Sequence, residues 1–279
     1  MRQFYIYLDD LREMPGYSCA ERRYAMLKSL FSAFLMYSRI PMPGVEWKEE
    51  NRRYALGFFP LVGAVTGGAL LLWRLLCTRA GFGQLLFAAG ALLINVLITG
   101  GIHLDGFCDV TDARASWAVR EKRLEIMSDP HIGSFAVIRV CLLLIVQTAL
   151  FSEVTETETA AVIACGYVLS RALSGLSAVT FHAAKSGGSL QSFVKPSHKR
   201  TVTGMAVFFT ALPVAVSVIV FPAAGIASAA AAGAVMLYHR YASYRDFGGI
   251  TGDLCGWFLV VCEAAVLAAA VLTERIASL

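Results

Sequence analysis

The sequence predicts an all-α protein, a polytopic integral membrane helical bundle of about seven transmembrane helices preceded by a short interfacial or re-entrant N-terminal helix. Composition is the first observation: of 279 residues 57% are hydrophobic and only 16% charged, against roughly 25% charged in soluble domains. The second is spacing. Apolar windows close to the ~20 residues that cross a hydrocarbon core recur at 55–76, 84–102, 132–151, 160–181, 202–221, 224–240 and 253–272. The third is charge, because the basic residues lie in the segments between windows and favour one side.

Taken in order, residues 1–23 form a polar N-terminal extension to a single membrane-embedded domain spanning 1–279. Asp9, Asp10 and Glu13 precede any apolar run, so no basic-then-apolar secretory signal is read there. Met26 to Ile40 is apolar but about fifteen residues long and is followed by Pro41 and Pro43, too short to cross. In the loop from Arg120 to Gly133, Leu124 and Met127 fit the membrane side of an interfacial helix, and Asp129-Pro130 reads as its stop. Ala223 to Ala234 is rich in Ala and Gly, which suits close helix packing.

Alternating spans put Lys48, Arg52 and Arg53, then Arg114, Arg120, Lys122 and Arg123, then Lys185, Lys195, Lys199 and Arg200, then Arg240 and Arg245 on one side. The other side has Arg74, Arg79 and Arg275 and an acidic loop at Glu153, Glu156 and Glu158. The positive-inside rule makes the basic side cytoplasmic. The seven cysteines are scattered and never form CxxC, which argues against a disulfide framework or zinc site. A net charge of +4 placed in loops is explained by topology and implies no nucleic-acid partner.

The chemistry concentrates on that basic side. Asp105, Asp109 and Asp112 lie at i, i+4 and i+7, within an arc of roughly 60° on a helix. Carboxylates so clustered repel unless a cation sits among them, and hard ions such as Mg²⁺ take oxygen ligands together with substrate phosphates. A solvated acidic face is the plainer reading, and Asp105 alone also fits a helix N-cap. His103 would point away from the aspartates and suits a hydrogen bond at the mouth of the site, with a catalytic role open.

In GGITGD the glycines Gly248, Gly249 and Gly252, with Thr251, would let amides approach a phosphate, and Asp253 would add an oxygen to a metal. The alternative is a tight reversal with Asp253 as N-cap. Asp129 and Glu125 are further carboxylates near the same mouth, and Lys185 with Gly187 and Gly188 reads equally as a phosphate loop or as a positive-inside loop. Arg139, Arg171 and Glu263 fall inside apolar windows, where charges are costly and expected to pair. Glu263 lies about 15 Å along a helix from Asp253, too far to share a metal.

The order of motifs resembles the cobalamin synthase family, the membrane-bound adenosylcobinamide-GDP ribazoletransferases. The likeness is carried by SRIP (Ser38–Pro41), FFPLVG (Phe58–Gly63), TGGIHLDGFCDVTDA (Thr99–Ala113), RLEIMSDPHIG (Arg123–Gly133), SRAL (Ser170–Leu173) and GGITGDLCG (Gly248–Gly256). Val260 stands where similar chains often carry a glutamate, and the extension before Tyr24 is not covered.

The resemblance implies a transferase that joins adenosylcobinamide-GDP to α-ribazole or its 5′-phosphate, releasing GMP, in the last assembly of the vitamin B12 nucleotide loop. It implies a Mg²⁺ cofactor held by Asp105, Asp109, Asp112, Asp253 and Asp129, with His103 and the same aspartates as catalytic candidates. Phosphate contacts would come from Lys185, Gly187, Gly188, Gly249, Thr251 and Gly252. Its place is the cytoplasmic (inner) membrane, with the bilayer as partner, and oligomeric state is left open, a homo-oligomer included. Other readings are a different Mg²⁺-dependent membrane phosphotransferase or prenyltransferase acting on a pyrophosphate, or a secondary transporter, which would need broken helices in two related halves.

Overall fold

The computed structural model describes residues 19–185 and 188–279. Gly187, one of the residues of the expected phosphate loop, lies outside them. Helices are α1 Cys19–Tyr37, α2 Glu49–Arg52, α3 Ala55–Ala80, α4 Gln84–Thr99, α5 Ile102–Ala115 and α6 Arg120–Ile126. They continue with α7 Ser134–Ser152, α8 Thr157–Thr180, α9 Ser189–Val194, α10 Lys199–Val220, α11 Pro222–Phe247 and α12 Gly252–Ala277. Among the described residues the sole β-type pairing is one parallel bridge between Ala183 and Ile250. A multi-pass membrane helical bundle is thus the architecture.

The span count differs from the expected seven. Five helices (α3, α7, α8, α10 and α12) are each long and apolar enough to cross a membrane, and α4 with α5 makes a sixth if that bent pair is one span. Two windows fall short for physical reasons. At 16 residues α4 reaches only about 24 Å. In α11 the alanine-rich first half and the polar HRYASYRD second half dilute a 26-residue helix.

After α4 the chain turns by 92° through Gly100 and Gly101, both left-handed at φ 65° and 80°, a conformation that glycine adopts without Cβ strain. The bend sets α5 across the axis of α4, so the pair forms a broken span or a re-entrant turn.

The centre is α8 and α12, whose spans are 83% and 72% buried, while α7 and α10 face outward at 17% and 22%. Lipid supplies no hydrophobic drive between helices, so close backbone approach does the packing. Gly63 and Gly67 of α3 lie on α8, where a Cβ would stand 2.3 Å from the Tyr167 carbonyl and 2.6 Å from that of Ala164. In the Ala/Gly-rich stretch of α11, Gly225 lies against α10 in the same way.

The expected intramembrane pair is present. Arg171, fully buried, meets Glu263 at 2.5 Å, and Asn95 Nδ2 donates to the other carboxylate oxygen at 2.9 Å, joining α4, α8 and α12. Arg139, the other expected partner, is exposed on α7. At the far end, Glu274 of α12 accepts the Thr155 and Glu156 amides at 3.0 and 3.3 Å, tying the turn before α8 to α12.

Candidate active site

The site forms where α5 crosses the start of α12. Gly106 permits the crossing: a Cβ there would lie 2.8 Å from the Asp253 carbonyl oxygen and 3.0 Å from its Cα. Asp253 backbone is thereby set against the helix that carries Asp105 and Asp109. Gly106→Ala is expected to push the two helices apart and lower turnover at least tenfold with the fold retained. Kinetics alongside a thermal melt check this, and unchanged kinetics would show that the crossing does not position the site.

Capping decides which aspartates remain available. Asp105 is at the fourth position of α5 and makes no cap bond, the helix starting from Gly101. Thr251, not Asp253, caps α12: its Oγ1 accepts the Leu254 amide at 3.2 Å. Asp112 is used otherwise than expected. Its two carboxylate oxygens accept the amides of Gly133 at 2.6 Å and Ala136 at 2.9 Å, so it caps α7 from a neighbouring helix, where a negative charge also suits the helix dipole.

Asp105, Asp109 and Asp253 therefore form a cup. Burial, and then the charges of Asp105, Asp253 and Asp112, push the Asp109 carboxyl up to about 7. Among the described residues no three His, Cys, Asp or Glu side chains are placed to hold an ion by themselves. The donor set still has the chemistry for a hard divalent cation, since Mg²⁺ is commonly bound by one or two carboxylates plus water and substrate phosphates. Crowded carboxylates of this kind are stabilised by a bound cation.

Other expected residues lie elsewhere or are already engaged. His103 is buried beside Phe59, ring centroids 5.7 Å apart, and its Nε2 has no partner. Burial, with Arg171 adding to it, lowers its imidazole to about 3, so it stays neutral and is a poor proton acceptor near pH 7. Asp129 is exposed and bonded to the amide and Nδ1 of His131 at 2.9 and 2.8 Å. Glu125 pairs with Lys122 at 2.8 Å. Neither joins the cup.

The N–H of Gly249 donates to Ser243 at the end of α11 at 3.1 Å, so it is not a spare phosphate donor. Ile250 exchanges bonds with the 182–184 segment: Ile250 N–H to His182 O at 2.8 Å, and Ala184 N–H to Ile250 O at 2.9 Å. This pairing brings Lys185 to the cleft that Gly188, Thr251, Gly252 and Asp253 also line. Lys185 Nζ there donates to Leu124 O at 2.9 Å and approaches Ser128 Oγ at 3.3 Å.

Asp246, buried between α5, α6 and α11, holds this end together through Arg114 at 3.2 Å, Arg123 at 3.1 Å and Arg245 at 2.8 Å. Sequence reasoning missed it, because no spacing marks one aspartate as the partner of arginines as distant in the chain as Arg114. The second cleft at the cup, lined by Tyr37, Phe59, Phe193, His103, Asp105 and Asp253, was also not foreseen, since these residues come from five separate helices.

Comparison with known proteins supplies the remaining finding. A family model described as cobalamin-5-phosphate synthase matches residues 29–271. The chain is 41% identical over 250 residues to the adenosylcobinamide-GDP ribazoletransferase of Lachnoclostridium phytofermentans, covering 90% of this chain and 95% of that protein. Proteins of the same name from Chlorobaculum tepidum and Ralstonia nicotianae are 32% and 33% identical, each over 86% of this chain and 94% and 93% of their own. No solved structure matches.

Proposed function

The chain belongs to the cobalamin-5-phosphate synthase family, and we propose that the cup of Asp105, Asp109 and Asp253 is where it carries out its reaction. The activity is that of an adenosylcobinamide-GDP ribazoletransferase, the final step of nucleotide-loop assembly in cobalamin synthesis. The family's description favours the 5′-phosphate of α-ribazole as acceptor. A ribose hydroxyl attacks the phosphorus joined to cobinamide, the bond from that phosphorus to the bridging oxygen breaks, and GMP leaves with the bridging oxygen.

One observation carries the placement: Asp253 is pressed against the Asp105–Asp109 helix at Gly106, while the Asp109 carboxyl is raised to about 7 by burial and its neighbours. We assign Asp105, Asp109 and Asp253 as the carboxylates that would hold Mg²⁺; bound there, the ion would neutralise charge on the diphosphate. The chain's own work is positional. Asp112 fixes α5 to α7, Thr251 fixes the start of α12, and Lys185 on the rim of the cleft gives a positive charge for phosphate oxygens. A carboxylate of the cup that the ion leaves free is suited to take the hydroxyl proton. The membrane is proposed as the cytoplasmic one with the cup facing the cytoplasm, because Arg114, Arg120, Lys122, Arg123 and Lys185 share that end.

Purified protein in lipid is expected to release GMP from adenosylcobinamide-GDP only with a ribazole acceptor and a divalent cation. Absence of turnover under every divalent ion would remove this reading. The pH dependence follows in sign. A carboxyl raised to about 7 holds its proton below that pH and must lose it to bind a cation, so about tenfold more Mg²⁺ is expected for half-maximal rate at pH 6 than at pH 8. A half-saturation constant independent of pH would take Asp109 out of the donor set.

A further inference from the structure

Two clefts meet at Asp253 and share little else: Leu190 and Gly252 are their other common residues. Their walls differ in kind. One is a slot with Met36, Tyr37, Leu56, Phe59, Ala178 and Phe193 along its sides. Its end is polar, formed by His103, Asp105 and Asp253. The other sets Ser128, Lys185, Gln191 and Thr251 beside apolar Leu124, Met127 and Ile250.

We propose that the apolar slot is the seat of the acceptor's benzimidazole base, and that the nucleotide-activated corrinoid approaches the cup from the Lys185 side. This rests on the ribazoletransferase reading and says which substrate enters by which side.

The aromatic walls argue for a flat ring. Tyr37 and Phe59 lie with ring centroids 4.1 Å apart, and Tyr37 and Phe193 5.9 Å apart, so α1, α3 and α9 present a continuous aromatic surface. Aromatic walls of this kind favour a planar heteroaromatic guest. Polarity argues in the same direction. A corrinoid fringed with amide arms would leave those amides against apolar side chains without partners, which is unfavourable.

The polar cleft complements the other substrate. Lys185 suits a diphosphate, and the Ser128 hydroxyl and Gln191 amide suit a purine base or ribose. With the base in the slot, the acceptor's ribose lies toward the end where Asp105 and Asp253 stand. The diphosphate reaches Asp253 from the opposite side. The two reacting groups then meet at the one carboxylate that lines both clefts.

The test uses the full chain in lipid, with each substrate varied in turn. Phe59→Ala, which removes a wall, and Ala178→Phe, which fills the slot, are each expected to raise KM for α-ribazole 5′-phosphate tenfold or more. KM for adenosylcobinamide-GDP should move less than twofold. The reverse pattern would overturn the assignment while leaving the ribazoletransferase reading intact; an unmodified protein that releases no GMP would remove both. Wild-type protein photolabelled with an azidobenzimidazole riboside covers the case of a misfolded variant. Label on peptides containing Tyr37 or Phe59 supports the slot, and label confined to peptides containing Ser128 refutes it.

Discussion

Asp109→Asn is expected to lower GMP release roughly a thousandfold. The loss follows from removing a charge that would neutralise and position the diphosphate, an effect of several kcal/mol at about 1.4 kcal/mol per tenfold. The same substitution should raise thermal stability in the absence of divalent ions at pH 8. Burial of Asp109, and then the charges of Asp105, Asp253 and Asp112, raise its carboxyl to about 7. Its folded-state value lies above its unfolded one, so this group weakens the fold as pH rises from about 4 to 7 and no further above that. An asparagine carries no such penalty. Activity lost with a higher melting temperature identifies a site residue held against the stability of the fold. Retained turnover would exclude Asp109 from the chemistry, and a lower melting temperature would make it structural.

The second large effect lies in the membrane. Arg171→Met should destabilise the protein by about 3–5 kcal/mol, the cost of leaving one member of a buried pair uncompensated. Glu263 would then face the core with only Asn95 and Ser170 to satisfy it. The double variant Arg171→Met with Glu263→Leu should recover much of that loss, because removing both charges also removes their desolvation. Thermal unfolding in one detergent, with retention on size-exclusion chromatography, measures both. Equal damage from the single and double variants would mean that the pair matters for something other than mutual neutralisation.

Much of this architecture is legible in the sequence, since hydropathy needs only the length of an apolar run. The ends of α3, α7, α8, α10 and α12 fall within a few residues of the expected windows. The intramembrane Arg171–Glu263 pair is legible for the same reason: a charge in hydrocarbon demands a partner, and few were available. The 92° turn is another matter. Gly100-Gly101 marks a break in α4, but no local pattern states its angle.

The site is legible as a set of residue types and less so as a set of roles. Spacing correctly places Asp105, Asp109 and Asp112 on one helix. It cannot reveal that the amides of Gly133 and Ala136, more than twenty residues on, take up Asp112. Likewise Thr251 and Asp253 are both able to cap a helix, and only the backbone path at Ile250 selects the threonine. Gly106 looks like a poor helix residue until α12 is laid across it. Each of these roles is a contact between segments distant in the chain, and periodicity carries no information about such contacts.

The right-angle turn at Gly100-Gly101 also bears on how the chain enters the bilayer during synthesis. A carboxylate carried to the middle of an inserting helix is penalised by roughly 2.5–3.5 kcal/mol. Were α4 to continue straight, Asp105 and Asp109 would follow directly behind its apolar residues and add that penalty to a segment of only 16 residues. With α5 leaving at 92°, its carboxylates are not carried forward along the axis of that apolar segment. Replacing the glycine pair with residues that continue a helix would therefore impair insertion before any folded protein exists to be assayed.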